Sequence, residues 1–302
     1  MYTIGADVGG SHISTCLFEH SNKVLMPESL VVKKVDRNAS KEDIVSDWAA
    51  AIKLTAKNVG GNISGIGLAV PGPFDYYNGI SLIKGVDKFE SLYNVNIREA
   101  LAEALDIAPK SIRFINDASA FTIAETSLGE ARNFDRCVGI TLGTGFGSSF
   151  TEFGKPVLKS EDVPVGGFLY DKLHHGQLAD EIFSTRGIIQ SYFDRSEKRC
   201  DSVQQIALHA ENDLEARETF SEFGKELGLF LLPYLQTFEA KVVVLGGNIC
   251  RAYHLFKDTL QLSLSDYKVY VSSYGEKAAM IGAARLLDDQ YYSQIEETLK
   301  DM

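Results

Sequence analysis

Two stretches of this chain repeat one pattern, and the duplication constrains the fold more than any bulk property. Ile4-Gly5-Ala6-Asp7-Val8-Gly9-Gly10-Ser11-His12-Ile13-Ser14 aligns with Val138-Gly139-Ile140-Thr141-Leu142-Gly143-Thr144-Gly145-Phe146-Gly147-Ser148. Gly5 matches Gly139, Gly9 matches Gly143, Ser14 matches Ser148, and the apolar positions largely coincide. In each copy a β-prone run enters a glycine turn and a second β-prone run leaves it. That pattern predicts a hairpin, with glycine tolerating positive φ and leaving N–H groups uncovered. Consecutive bare amides form a nest for phosphate oxygens, and Asp7 at the strand end suits Mg²⁺ held through water. One copy alone is equally an ordinary hairpin with an acidic residue beside its turn. Two copies predict two similar domains facing each other, their turns clasping one polyphosphate from both sides.

The remaining numbers are permissive. A chain of 302 residues is long enough for two domains with cores of their own. Its 45% hydrophobic and 24% charged content describes a soluble globular protein. A net charge of -11 argues against a nucleic-acid surface, but a local nest can still hold a small anion. The first residues lack the basic-then-apolar pattern of a secretory signal. Leu227 to Leu235 is too short to span a bilayer, so no membrane association is expected. The four cysteines, Cys16, Cys137, Cys200 and Cys250, show no paired spacing, which reads as buried thiols in a reducing, cytoplasmic compartment with no zinc site.

Along the chain, Lys23 to Lys34 reads as a third strand, and Ser40 with Asp43 as a cap opening a helix to about Val59. Ile63 to Val70 reads as a buried strand stopped by Pro71-Gly72-Pro73. Gly79 to Leu92 is irregular and carries Lys84, Asp87 and Lys88. A helix over Ile97 to Leu105 is followed by a strand over Ser111 to Ile115 and a helical run over Ala118 to Ser127. The second hairpin follows, then a loop-rich stretch to Gly176, a helix over Ile182 to Phe193 and a charged connector over Asp194 to Asp201. A long helix over Leu214 to Leu235 precedes an apolar strand over Lys241 to Leu245. A short strand at Val269 to Val271 and a small-residue helix over Glu276 to Leu287 follow, and Tyr291, Ile295 and Leu299 mark a docking stripe. Alternation of strands and helices on this scale is α/β.

Three places suit chemistry. Asn116-Asp117 sits where a strand gives way to a helix; either residue is a cap, or Asp117 is a general base kept ionised by the helix N-terminus. Gly246-Gly247-Asn248 follows a buried strand, a place for a base or ribose and also a common strand–helix corner. His174-His175 would be a metal or sugar ligand, but adjacent side chains diverge and no partner lies at ligand spacing, so no metal is expected there. No P-loop signature is present, and Gly143-Thr144-Gly145-Phe146-Gly147 leads to a strand where a dinucleotide fingerprint leads to a helix.

Taken in order, these stations resemble the ATPase domain shared by actin, heat-shock-70 chaperones and sugar kinases, and more narrowly the ROK (repressor, open reading frame, kinase) family. The resemblance spans nearly the whole chain. It rests on Asp7-Val8-Gly9-Gly10-Ser11 and Leu142-Gly143-Thr144-Gly145-Phe146-Gly147 as phosphate loops and Pro71-Gly72-Pro73-Phe74-Asp75 as a sugar-side loop. Asn116-Asp117-Ala118-Ser119-Ala120 is similar to the connecting motif, Val244-Leu245-Gly246-Gly247-Asn248 to the adenosine segment, and Gly275 to Ala284 to the closing helix. It implies an α/β fold of two similar actin-like (ribonuclease H-like) ATPase domains with an interdomain cleft, taken as residues 1–116 plus 288–302 and residues 117–287. It further implies ATP and Mg²⁺ as cofactors, a homodimer, and phosphorylation of a hexose or N-acetylhexosamine. Asp117 would be the base, with Asn116, Pro71, Gly72 and Asp180 or Glu181 on the sugar. Asp7, Gly9, Gly10, Ser11, Gly143, Thr144, Gly145, Gly246, Gly247 and Asn248 would hold the nucleotide and its metal. The chain departs from the family where Glu-x-Gly-His and a cysteine zinc cluster are usual, reading Gly166-Gly167-Phe168-Leu169-Tyr170-Asp171. That departure motivates the alternative of a catalytically weak, sugar-binding regulator without a DNA-binding domain; a chaperone-like ATPase fits least.

Overall fold

The computed structural model describes residues 1–85 and 88–302; Asp87, one of the charged residues of the irregular segment, lies outside the described residues. The chain forms two compact units, residues 1–124 with 277–302, and residues 125–276.

The first unit is built on a five-stranded sheet in the order Val24–Lys34, His12–Glu19, Tyr2–Val8, Ile66–Val70, Ile112–Asn116. The first three pair antiparallel with one another, and the last two run parallel to Tyr2–Val8. The second unit repeats that order with Lys155–Pro156, Phe146–Glu152, Arg136–Leu142, Val242–Gly246 and Lys268–Val271, antiparallel and parallel at the same places. The sequence repeat is therefore the central hairpin of two sheets with one topology. Parallel strands need crossovers, and the helices Lys41–Ala56 and Ile97–Leu105 lie in the chain around Ile66–Val70. Ser40 opens the former as expected, its Oγ accepting the Asp43 N–H at 3.1 Å.

Close packing in the first unit depends on missing side chains. A Cβ on Gly5 would lie 1.9 Å from the Met280 carbonyl oxygen, one on Gly67 1.9 Å from that of Ala283, and one on Gly282 1.8 Å from that of Ala120. The small-residue helix, Lys277–Arg285, thus lies directly on strands Tyr2–Val8 and Ile66–Val70. The sequence-based division groups this helix with the second half, whereas its packing is with the first sheet. Tyr291, Ile295 and Leu299 are the buried face of the terminal helix Asp289–Asp301.

The second unit centres on an aromatic cluster. Phe146, the residue after the second turn, has its ring centroid 5.5 Å from Phe183 and 5.9 Å from Phe230. The long helix Leu214–Thr237 supplies Phe220, Phe223, Leu227, Phe230 and Leu231 to this core. The single helix expected over residues 182–193 is broken. A four-residue helix, Ala179–Ile182, ends at Phe183, and a second helix runs over Thr185–Ser196. The break has a tertiary cause: Thr185 donates both its N–H (2.8 Å) and its Oγ1 hydroxyl (2.9 Å) to the carbonyl of Gly143. Among the described residues, no helix is long and apolar enough to cross a membrane.

Candidate functional site

Strand Ile112–Asn116 runs without a connection into helix Asp117–Ser127. Asn116 is buried, and its Oδ1 accepts the Ser119 N–H at 3.1 Å, capping that helix. Its Nδ2 reaches the Tyr76 hydroxyl at 3.4 Å, and that hydroxyl donates to the Val70 carbonyl at 3.2 Å. Tyr76 thereby ties the end of strand Ile66–Val70, where Pro71 and Gly72 follow, to Asn116; nothing in its sequence setting marked it. A Cβ on Gly72 would stand 3.3 Å from the same hydroxyl, so the turn and the cap share one anchor.

Asp117 is the first residue of the helix and is half-buried, its Oδ1 accepting the Ala118 N–H at 2.8 Å. The helix start alone predicts an easily ionised carboxylate. Burial instead raises its pKa above the ordinary aspartate value, opposed by the Ala118 N–H and the Lys88 charge. A carboxylate so placed holds a proton more strongly than a free aspartate, which suits a proton acceptor.

The first glycine turn joins Tyr2–Val8 to His12–Glu19, with Asp7 half-buried opposite Ser14 and beside Ala69 of the parallel neighbour. The expected use of positive φ is not found: Gly9, Gly10, Gly143 and Gly145 all lie outside the left-handed region. Nor are all the amides bare. Gly9 donates its N–H to the His12 carbonyl at 2.9 Å, and Gly143 donates to the Gly145 carbonyl at 3.1 Å. The first bond spans Gly10 and Ser11 and the second spans Thr144 alone, and both turns leave Gly10–Ser11 and Thr144–Gly145 to present amides. Ser11, Thr144 and Gly145 are exposed, and a Cβ on Gly10 would meet nothing within 4 Å. Glycine here keeps the approach to the backbone open, and a phosphate oxygen or a Mg²⁺-bound nucleotide fits that openness and the Asp7 carboxylate.

The second turn has a feature that sequence reasoning missed. Asp180 Oδ1 accepts the Phe146 N–H at 2.7 Å and would lie 3.2 Å from a Cβ on Gly145, while Oδ2 pairs with Arg186. Asp180, expected on the sugar, is thus engaged with the glycine hairpin of its own unit. Glu181 is exposed. At the third station Gly246 ends its strand, and Gly247 has φ +88 with a would-be Cβ only 2.2 Å from the Leu142 carbonyl oxygen. Only glycine fits there. Asn248 is exposed and opens a short 3₁₀ helix, Asn248–Ala252.

His174 and His175 do not diverge. Leu173–His174 and Gln177–Leu178 form a small hairpin whose two turn residues, His175 and Gly176, have φ +51 and +84. Two successive positive φ values are those of a type I′ turn, and they bring both rings onto Glu226 of helix Leu214–Thr237. Glu226 Oε2 lies 2.7 Å from His174 Nε2 and 2.9 Å from His175 Nε2. Burial tends to raise the Glu226 carboxyl, but hydrogen bonds from His174, His175 and Lys225 outweigh it and bring it down to about 2. The acidic partner absent from the local sequence is supplied by a distant helix.

The ROK family model matches residues 3–158 and 174–290. A glucokinase of Thermotoga maritima is 25% identical, over 95% of this chain and 97% of its own length. A xylose repressor of Bacillus subtilis is 21% identical, over 97% of this chain and 79% of its own. Among solved structures, a ROK family glucokinase of Streptomyces griseus in complex with glucose and AMPPNP superposes with a TM-score of 0.77 at 18% identity, covering 96% of this chain and 100% of that one. With both glycine hairpins, the Asn116-Asp117 junction and the Gly246-Gly247 corner inside the matched segments, the chain belongs to the ROK family.

Proposed function

We propose that this protein transfers the γ-phosphoryl group of ATP to a hydroxyl of a hexose or N-acetylhexosamine. The observation that carries this reading is Asp117: an oriented, half-buried carboxylate with a raised pKa, next to a capped and buried Asn116. The glucokinase relative and the likeness to a structure holding glucose and an ATP analogue support the same reaction class.

In this reading the amides of Gly10–Ser11 and Thr144–Gly145 receive phosphate oxygens, and Gly246, Gly247 and Asn248 face the adenosine. Asp7 would hold Mg²⁺, which would supply charge neutralisation at the phosphates. Asn116 and the Pro71-Gly72 turn orient the sugar. Asp117 accepts the hydroxyl proton as the sugar oxygen bonds to phosphorus and the bond to ADP breaks. The products are a sugar phosphate and ADP, and the proton passes from Asp117 to water. Positioning and electrostatics account for most of the acceleration in such transfers. Asp180 enters as the residue that holds the second hairpin.

A coupled ADP-release assay across hexoses, N-acetylhexosamines and their epimers tests the proposal. One sugar should be turned over, and Asp117→Ala should lower its turnover by roughly 10²–10⁴-fold, the usual worth of a general base, with nucleotide affinity nearly unchanged. Near-native turnover in that variant removes Asp117 from the chemistry. A second reading, a sugar-binding regulator, draws support from the repressor relative and from Phe168 where the family's Glu is usual. Sugar binding with no turnover on any member of the panel would decide for it.

A further inference from the structure

We propose that His174, His175 and Glu226 form a binding site for a divalent transition-metal ion of the zinc, cobalt or nickel type. All three donor atoms lie within 4.8 Å of one another, in a geometry that one ion can bridge with small side-chain rotations. Two imidazoles and one carboxylate select these ions over Mg²⁺ and Ca²⁺, which take oxygen donors almost throughout.

The surroundings are those of a prepared site. The His174 ring is held by Phe183 at 5.7 Å and Phe230 at 5.6 Å, which fixes its direction. The side chains of His174 and Glu226 are only 12% and 16% exposed, whereas that of His175 is 73% exposed. An ion would enter from the His175 side and keep water in its remaining position, as open three-ligand sites do. Lys225 Nζ lies 3.3 Å from Glu226 Oε1, holding the oxygen that does not face the imidazoles. The left-handed backbone at His175 is a conformation that L side chains seldom adopt, and here it places a second imidazole on the same carboxylate.

The site lies wholly within the second unit. Neither histidine occupies the positions compared with the family's Glu-x-Gly-His, and Glu226 comes from a different element altogether. A bound ion would fasten the hairpin to the long helix. The hairpin runs directly into Ala179–Ile182, which carries Asp180, so the ion would also steady the segment that grips Phe146.

The test needs no assumption about catalysis. Chelator-treated protein is titrated with Zn²⁺ by calorimetry and with Co²⁺ by visible absorption. The expected result is one ion per chain, a Co²⁺ band of low-symmetry geometry and a raised melting temperature. Glu226→Gln and His175→Ala should each weaken Zn²⁺ binding by at least tenfold, while His254→Gln leaves it unchanged. His175 is largely exposed, so its variant keeps the fold, and a native far-ultraviolet spectrum would verify that. Absence of Zn²⁺ binding at micromolar concentration overturns the proposal, as does binding that survives both substitutions.

Discussion

A single carboxylate, Asp117, has both a helix start that favours its ionised form and a burial that opposes it, and burial prevails. The consequence extends beyond turnover. A folded-state pKa above the unfolded one means that ionisation weakens the fold, so its contribution is fully present below the unfolded pKa and is lost as pH rises through the folded value. Asp117→Asn keeps an oxygen for the Ala118 N–H and removes the charge. At pH 7 this variant should therefore melt at a higher temperature than the native protein while turning over sugar poorly. The difference in melting temperature should vanish as pH falls below about 3.9, the ordinary aspartate value. A variant that melts lower at pH 7 would show that the charge is stabilising. For the native protein, the acidic limb of kcat/KM should lie above the ordinary aspartate range. Legibility at this scale followed chain distance. Asn116 and Asp117 announced themselves because a strand and a helix abut there. Tyr76 and Glu226 did not, since Asn116 lies far along the chain from the one and His174 and His175 from the other, and no local pattern encodes such a meeting.

At the level of elements, periodicity and punctuation were readable wherever an element's cause is local. The helix opened by Ser40, the apolar strand Val242–Gly246 and the stripe of the terminal helix all follow from spacing. The helix expected over 182–193 was misread because Thr185 is drawn to the Gly143 carbonyl, a contact that overrides helical propensity and restarts the helix. The glycine turns were located correctly but for an incomplete reason, since open approach matters there and positive φ does not. Where glycine is compelled, it is by packing. Gly67→Ala should force helix Lys277–Arg285 off its strand, because the new Cβ would stand 1.9 Å from the Ala283 carbonyl oxygen. Overpacking of this kind costs about 1–3 kcal/mol or more, readable as a lower denaturant midpoint. Gly10→Ala, facing open space, should leave the midpoint unchanged and weaken nucleotide binding alone. Equal midpoints for the two variants would contradict the packing account.

The duplication of one sheet topology has a consequence for the whole molecule. The second unit is a continuous segment whose two ends are held together within it: Glu125 Oε1 accepts the Ser272 hydroxyl at 2.5 Å, and the Tyr274 hydroxyl reaches the Leu128 carbonyl at 3.2 Å. Glu125 is fully buried and also accepts the Glu130 N–H at 3.0 Å, so this closure is built into the unit's interior. The first unit is discontinuous, and its central strands lie against a helix that the chain supplies only after residue 276. A fragment of residues 117–276, which keeps helix Asp117–Ser127 whole, should therefore unfold cooperatively on its own, because every strand of its sheet and its aromatic core are present. A fragment of residues 1–124 should not, because Gly5 and Gly67 would face solvent where Met280 and Ala283 belong. Adding residues 277–302 through a short flexible linker should restore a cooperative transition by returning that helix to its strands. Denaturant melts of the three fragments decide the matter. Cooperative unfolding of 1–124 alone would mean that the closing helix is dispensable, and the glycine contacts beneath it would then need another explanation.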